Sequence, residues 1–172
     1  MAYFTDNARP VIYRIPLGPA GELPAASAVE TIALTRDFTF VPGGINGNGI
    51  VATPNEDRLI VGNTWTGTLY LVDPGTGQTS RIDLGGESLF FPDALALIGR
   101  ALYVVQGPLD QIRVVRLSAD FTRGAVEGAL TSSALRFPSS IGGLGSSLYA
   151  VNARFDVAPG PGVEYDVVRV AR

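Results

Sequence analysis

A short phrase recurs along this chain and constrains it more than any other feature. Residues 2–6, Leu59–Asn63, 102–106 and 148–152 are each an apolar run closed by a polar residue, namely Asp6, Asn63, Gln106 and Asn152. In the first three copies a second apolar run follows, at 11–14, Thr68–Val72 and 112–116. The second residues of the copies are Tyr3, Ile60, Tyr103 and Tyr149. After a longer first step their separation settles near about 45 residues, the period of repeats in which one unit is a four-stranded sheet.

Around the best-preserved copy the whole unit is legible. Residues 50–53 read as a strand and Pro54 to Asp57 as a turn, before Leu59–Asn63 returns. Thr66-Gly67 reverses the chain into Thr68–Val72, residues 73–78 turn it again, and 80–84 form a fourth strand. The next unit repeats the plan with 94–98, 101–106, 112–117 and 125–130. A third has 139–144, 147–152 and 164–170 but no fourth strand, and the opening unit supplies only 2–6, 11–16 and 30–34. The expectation is an all-β chain of fourteen strands, a partial β-propeller of about three and a half four-stranded blades, divided at 1–45, 46–88, 89–131 and 132–172.

Runs such as 102–105 and 112–115 do not alternate polar with apolar, as a sheet with one wet face would; blades covered on both faces need continuous apolar strands. A β-sandwich also uses short strands and frequent turns, but gives no reason for four-strand units to recur. A helix over 109–123 is disfavoured, because its apolar positions form no narrow stripe and Ile112, Val114 and Val115 are β-branched.

Composition removes most alternatives for chemistry. With no Cys and no His, thiol nucleophiles, disulfides, ordinary zinc sites and Ser-His-Asp triads are excluded. The net charge of −3 and the absence of a basic run argue against nucleic acid as a partner. Apolar stretches too short to cross a bilayer, and a start without basic and apolar leader segments, argue for a soluble chain with no membrane partner; the compartment is left open.

In a propeller, residues just before each innermost strand converge on one end of the central channel. Here these are Asn46-Gly47-Asn48-Gly49, Phe91-Pro92-Asp93 and Phe137-Pro138-Ser139-Ser140, so Asn48, Asp93 and Ser139 occupy equivalent points. That oxygen-rich set suits a hard cation such as calcium, although Asn-Gly and Pro-Asp are also ordinary turn dipeptides.

These same segments resemble the senescence marker protein-30, gluconolactonase and luciferin-regenerating enzyme family of six-bladed propellers. Residues 48–60 look like the family's Asn-Gly strand and following turn, 92–103 its Pro-Asp-Gly strand and the Leu-Tyr strand after it, and 137–152 its Pro-Thr-Ser segment and closing strand. The similarity covers nearly the whole chain and the C-terminal half to two thirds of a full member. It implies that Asn48 and Asp93 are ligands of a divalent metal, calcium by preference, and that Asp93 activates water to hydrolyse a sugar lactone. Two further family ligands have no counterpart here, and Ala94 stands where the family has glycine, which together imply a weak site and low activity. The rival expectation is a non-catalytic scaffold that binds a small ligand or a protein.

Other residues have simpler expectations. Trp65 reads as a partly buried hairpin anchor, the polar column as strand-terminal hydrogen bonding, Arg9 and Arg154 as loop charges, and 73–77 as a turn rather than a calcium loop. The incomplete first and last blades would leave bare edges and apolar faces, which predicts either a homo-oligomer or further chain that completes the ring.

Overall fold

The computed structural model describes residues 1–172 and contains four sheets in chain order. The first comprises β1 (Ala2–Thr5), β2 (Val11–Ile15) and β3 (Glu30–Ala33). The second comprises β5 (Gly47–Ala52), β6 (Leu59–Asn63), β7 (Thr68–Val72) and β8 (Gln78–Arg81), with β4 (Thr35–Arg36) added outside β8. The third is β9 (Leu95–Ile98), β10 (Ala101–Gln106), β11 (Gln111–Leu117) and β12 (Gly124–Thr131). The fourth is β13 (Pro138–Leu144), β14 (Ser147–Asn152) and β15 (Val167–Ala171). Every pairing between consecutive strands within a sheet is antiparallel, so each sheet is a meander, and the arrangement is that of successive propeller blades.

Three apolar clusters fill the three seams between neighbouring sheets. Ile12 and Leu34 meet Leu59, Val61, Tyr70 and Val72 at the first seam. Ile60, Leu69 and Leu71 meet Leu102, Val104 and Val115 at the second. Tyr103, Val105 and Ile112 meet Leu148, Ala150 and Val168 at the third. Alternate residues of β6 and β10 therefore feed two different seams, and all of β6 and β10 is buried. This is the physical origin of the unbroken apolar runs: a strand with a dry neighbour on each side has no polar face. No helix is long and apolar enough to cross a membrane.

The structure departs from the sequence reading in several places. There are fifteen strands rather than fourteen. The extra one, β4, pairs parallel to β8 and is fastened by the Thr79 hydroxyl donating to the Thr35 carbonyl at 2.7 Å. The second sheet thus has five strands, not four. The strand expected at 80–84 is shifted to Gln78–Arg81, and the one expected at 164–170 begins only at Val167. Trp65 is 58% exposed instead of partly buried, and lies over Gly44, where a Cβ would come within 3.0 Å of its ring.

Candidate functional site

The innermost strands β5, β9 and β13 lie next to one another at the centre of the stack. Two of them begin irregularly. The β5–β6 register slips between Gly47 and Ile50, and the β13–β14 register slips between Pro138 and Ser140. Asn48 and Ser139 lie within these slips, and a bulge of this kind re-aims a side chain that regular pairing would direct into a seam. Asp93 lies two residues before β9, which starts at Leu95 rather than at the expected residue 94, and is held by its backbone N–H donating to the Val105 carbonyl at 2.9 Å.

Asn48 and Asp93 meet although 45 residues separate them. The Asn48 amide donates to Asp93 Oδ1 at 2.9 Å and to Thr64 Oγ1 at 3.2 Å. Thr64 in turn donates to the Pro92 carbonyl at 2.6 Å, which ties the second sheet to the residue before Asp93. Gly49 permits this approach: a Cβ there would lie 2.2 Å from the Asp93 carbonyl oxygen and 2.8 Å from Leu95. Partial burial pushes the Asp93 carboxyl up to about 6, against which the Asn48 hydrogen bond pulls it down.

The pair opens into a cavity of about 600 Å³, to which Ser139 and Ser140 also contribute, so all three equivalent positions face one space. Three phenylalanines, Phe91, Phe137 and Phe155, also line it. Phe91 and Phe137 both have φ of +49° and both precede proline. Left-handed backbone at a bulky residue is rare, costs on the order of 1–3 kcal/mol, and concentrates at functional sites. Phe137 is held there by its N–H donating to Asp110 Oδ1 at 2.6 Å and its carbonyl accepting from Ala153 at 3.1 Å.

The polar side chains around Asp93 carry carboxylate, amide and hydroxyl oxygens and no sulfur or imidazole, the chemistry of a hard cation, although Asn48 here turns its amide nitrogen to Asp93. Asn48, whose amide can present oxygen as readily as nitrogen, Asp93 and the Thr64 hydroxyl fit such an ion in kind. In charge they provide one carboxylate, and no cluster of three acidic side chains occurs. The set therefore suits a weakly held ion with water completing its shell.

The polar column has a structural role in all four copies. Asn63 donates to the Thr39 carbonyl at 2.9 Å and accepts from the Thr66 N–H at 3.1 Å. Asn152 joins Ala134, Arg136 and Asp166, Gln106 binds the Phe90 carbonyl, and Asp6 accepts from Ala8, Arg9 and Tyr13. Arg9 and Arg154 are engaged in ion pairs with Asp6 and Asp156. Asp73 accepts from Gly75 and Thr76 in a closed turn. Asn46 is fully buried and braces the 41–46 loop through the backbone of Val41 and Gly44. Sequence reasoning missed Thr64 and Phe155, and named Phe91 and Phe137 only as members of the converging segments; the only signal for Thr64 is that it directly follows the Asn63 column.

No family model matches the chain, and no curated protein matches it by sequence. Solved structures do. The β-propeller domain of Cps50 (Swd1) from Myceliophteria thermophila superposes with a TM-score of 0.53 at 18% identity, over 86% of this chain and 47% of that one. The allergen Mala s 1 of Malassezia sympodialis gives 0.60 at 16% identity, over 95% of this chain and 49% of its own. A candidate 6-phosphogluconolactonase of Bacteroides fragilis gives 0.54 at 15% identity, over 80% of this chain and 37% of its own. The fold is that of a β-propeller. The chain spans half or less of the length of these three structures.

Proposed function

We propose that the cavity at the mouth of the channel binds a small cyclic ester and that Asp93 serves as the base for its hydrolysis, assisted by a divalent cation held by Asn48 and Asp93. One observation carries this reading: two polar residues at matching places in successive blades meet at 2.9 Å beside a 600 Å³ cavity. The resemblance to the lactonase-like propeller family and the likeness to a candidate 6-phosphogluconolactonase support it.

Each residue has a definable task. Without a cation, burial pushes the Asp93 carboxyl up to about 6, where it takes up and releases a proton near neutral pH; a bound cation would draw that value down. Its Oδ1 is fixed by Asn48, while Oδ2 accepts nothing from the protein and is left for a water in the cavity. Asp93 takes the proton of that water as its oxygen adds to the ester carbonyl, and returns a proton to the departing ring oxygen. Thr64 and Asn48 keep the carboxylate in place. A bound cation would supply polarisation of the ester carbonyl and charge compensation for Asp93.

Calcium titration by calorimetry, combined with a lactone hydrolysis assay, tests the reading on the full chain. The expected result is calcium-dependent heat and measurable turnover, both lost in Asp93→Asn. Absence of heat and turnover, with Asp93→Asn indistinguishable from the parent, would leave the non-catalytic scaffold.

A further inference from the structure

The cavity is lined by aromatic rings that contribute nothing to the roles just described. Beside Asn48, Asp93 and Thr64, these are Phe91, Phe137 and Phe155. Phe137 and Phe155 pack edge to face with centroids 5.7 Å apart, and Phe91 is backed by Phe90 in the same manner at 4.4 Å. Phe137 and Phe155 thus brace each other and Phe90 braces Phe91, the backbone of Phe91 and Phe137 is left-handed, and Phe155 remains 70% exposed. Braced, partly exposed aromatic rings at a cavity wall provide stacking surface for a flat or apolar ligand face.

Charge narrows the ligand further. No basic residue lines the cavity. The three arginines nearest in sequence to its lining residues, Arg9, Arg136 and Arg154, are taken by Asp6, Asp166 and Asp156. An anionic ligand would meet the Asp93 carboxylate with no cation from these residues to offset it, which is unfavourable in a partly desolvated site.

We infer that the ligand of this cavity is an uncharged ring compound with an apolar or aromatic face, its ester or amide edge turned to Asp93 and its flat face against Phe137 and Phe155, and that phosphorylated sugar lactones are rejected. This rests on the cavity being a ligand site, as proposed above, but not on turnover. Asn7, Ser139 and Ser140 can pair only some hydroxyls of a polyhydroxylated ring, leaving others against the phenylalanines, and a phosphate would have no cationic partner.

Ligand-observed NMR with three inert amide analogues tests it: dihydroquinolinone, gluconolactam and the phosphate ester of gluconolactam. Dihydroquinolinone is expected to bind about tenfold more tightly than gluconolactam, and the phosphate ester not at all. Phe137→Leu should lose most of that advantage, and Phe155→Ala, at an exposed position that leaves folding intact, should lose part of it. Equal or tighter binding of gluconolactam, binding of the phosphate ester, or indifference to both substitutions overturns the inference while leaving a ligand site in place. If none of the three binds, the ligand site itself is refuted and the inference falls with it.

Discussion

The two middle sheets and the two end sheets are built from the same strand vocabulary yet occupy different environments. In the middle, β6 and β10 are buried along their whole length because each serves a seam on either side. At the ends only one face is covered: Ile12, Val168 and Val170 are buried, whereas Phe4 is 52%, Val167 61% and Leu144 73% exposed. A sheet that ends a stack ordinarily turns a polar face to water. These end faces instead keep apolar side chains, so the composition of an interior strand persists where no neighbour covers it.

The largest test of that contrast is in the seams. Leu102→Ala, in the second seam, should cost about 3–5 kcal/mol, whereas Val170→Ala, at the edge of the third, should cost about 1–2 kcal/mol by denaturant unfolding. Equal costs would break the distinction between doubly and singly covered sheets. A smaller effect is expected on association. Analytical ultracentrifugation of the 172-residue chain should show concentration-dependent self-association, weakened by Val167→Asp and unchanged by a substitution at exposed Glu127.

The smallest effects sharpen the comparison through two carboxylates. Asp93, in the middle of the stack, is raised to about 6 by burial, whereas Asp166, on the last sheet, is lowered chiefly by the hydrogen bond from Asn152, with Arg136 adding to it. For Asp93 the folded state holds its proton more tightly than the unfolded chain, so its penalty is absent below about pH 4 and grows as pH rises towards 6. In chelator, Asp93→Asn should therefore stabilise the fold above pH 6 by about 1–2 kcal/mol, allowing for partial exposure, with the gain vanishing below pH 4. For Asp166 the sign is opposite: its contribution is present above the unfolded value and lost as pH falls through its lowered folded value. Asn152→Ala should move its NMR titration midpoint upward.

The blades were readable in the sequence because covering a sheet on both sides imposes unbroken apolar runs, and turn chemistry marks where they stop. The convergence of Asn48, Asp93 and Ser139 was readable for a related reason: equivalent positions in stacked repeats share an axis. Less was legible where partners come from another unit. β4 is two exposed residues whose strand character depends on Thr79 and Gln78, 44 and 42 residues away from their side-chain partners Thr35 and Arg36. Phe91 and Phe137 precede proline, which favours extended backbone, so their left-handed turn does not follow from residue type; at Phe137 it is held by hydrogen bonds to Asp110 and Ala153. The exposure of Trp65 likewise follows from the path of the 41–46 loop beneath it.

Gly49 carries no functional group, yet it sets the gauge of the site. Because the backbone of Asp93 fills the place where any larger residue would put its first carbon, the distance between the two polar partners is a dimension of the scaffold, not a property of either partner. An alanine there would act as a wedge, parting the carboxylate from its amide while leaving both in the sequence. Any redesign of this channel mouth therefore begins with the residue that has nothing to offer a ligand.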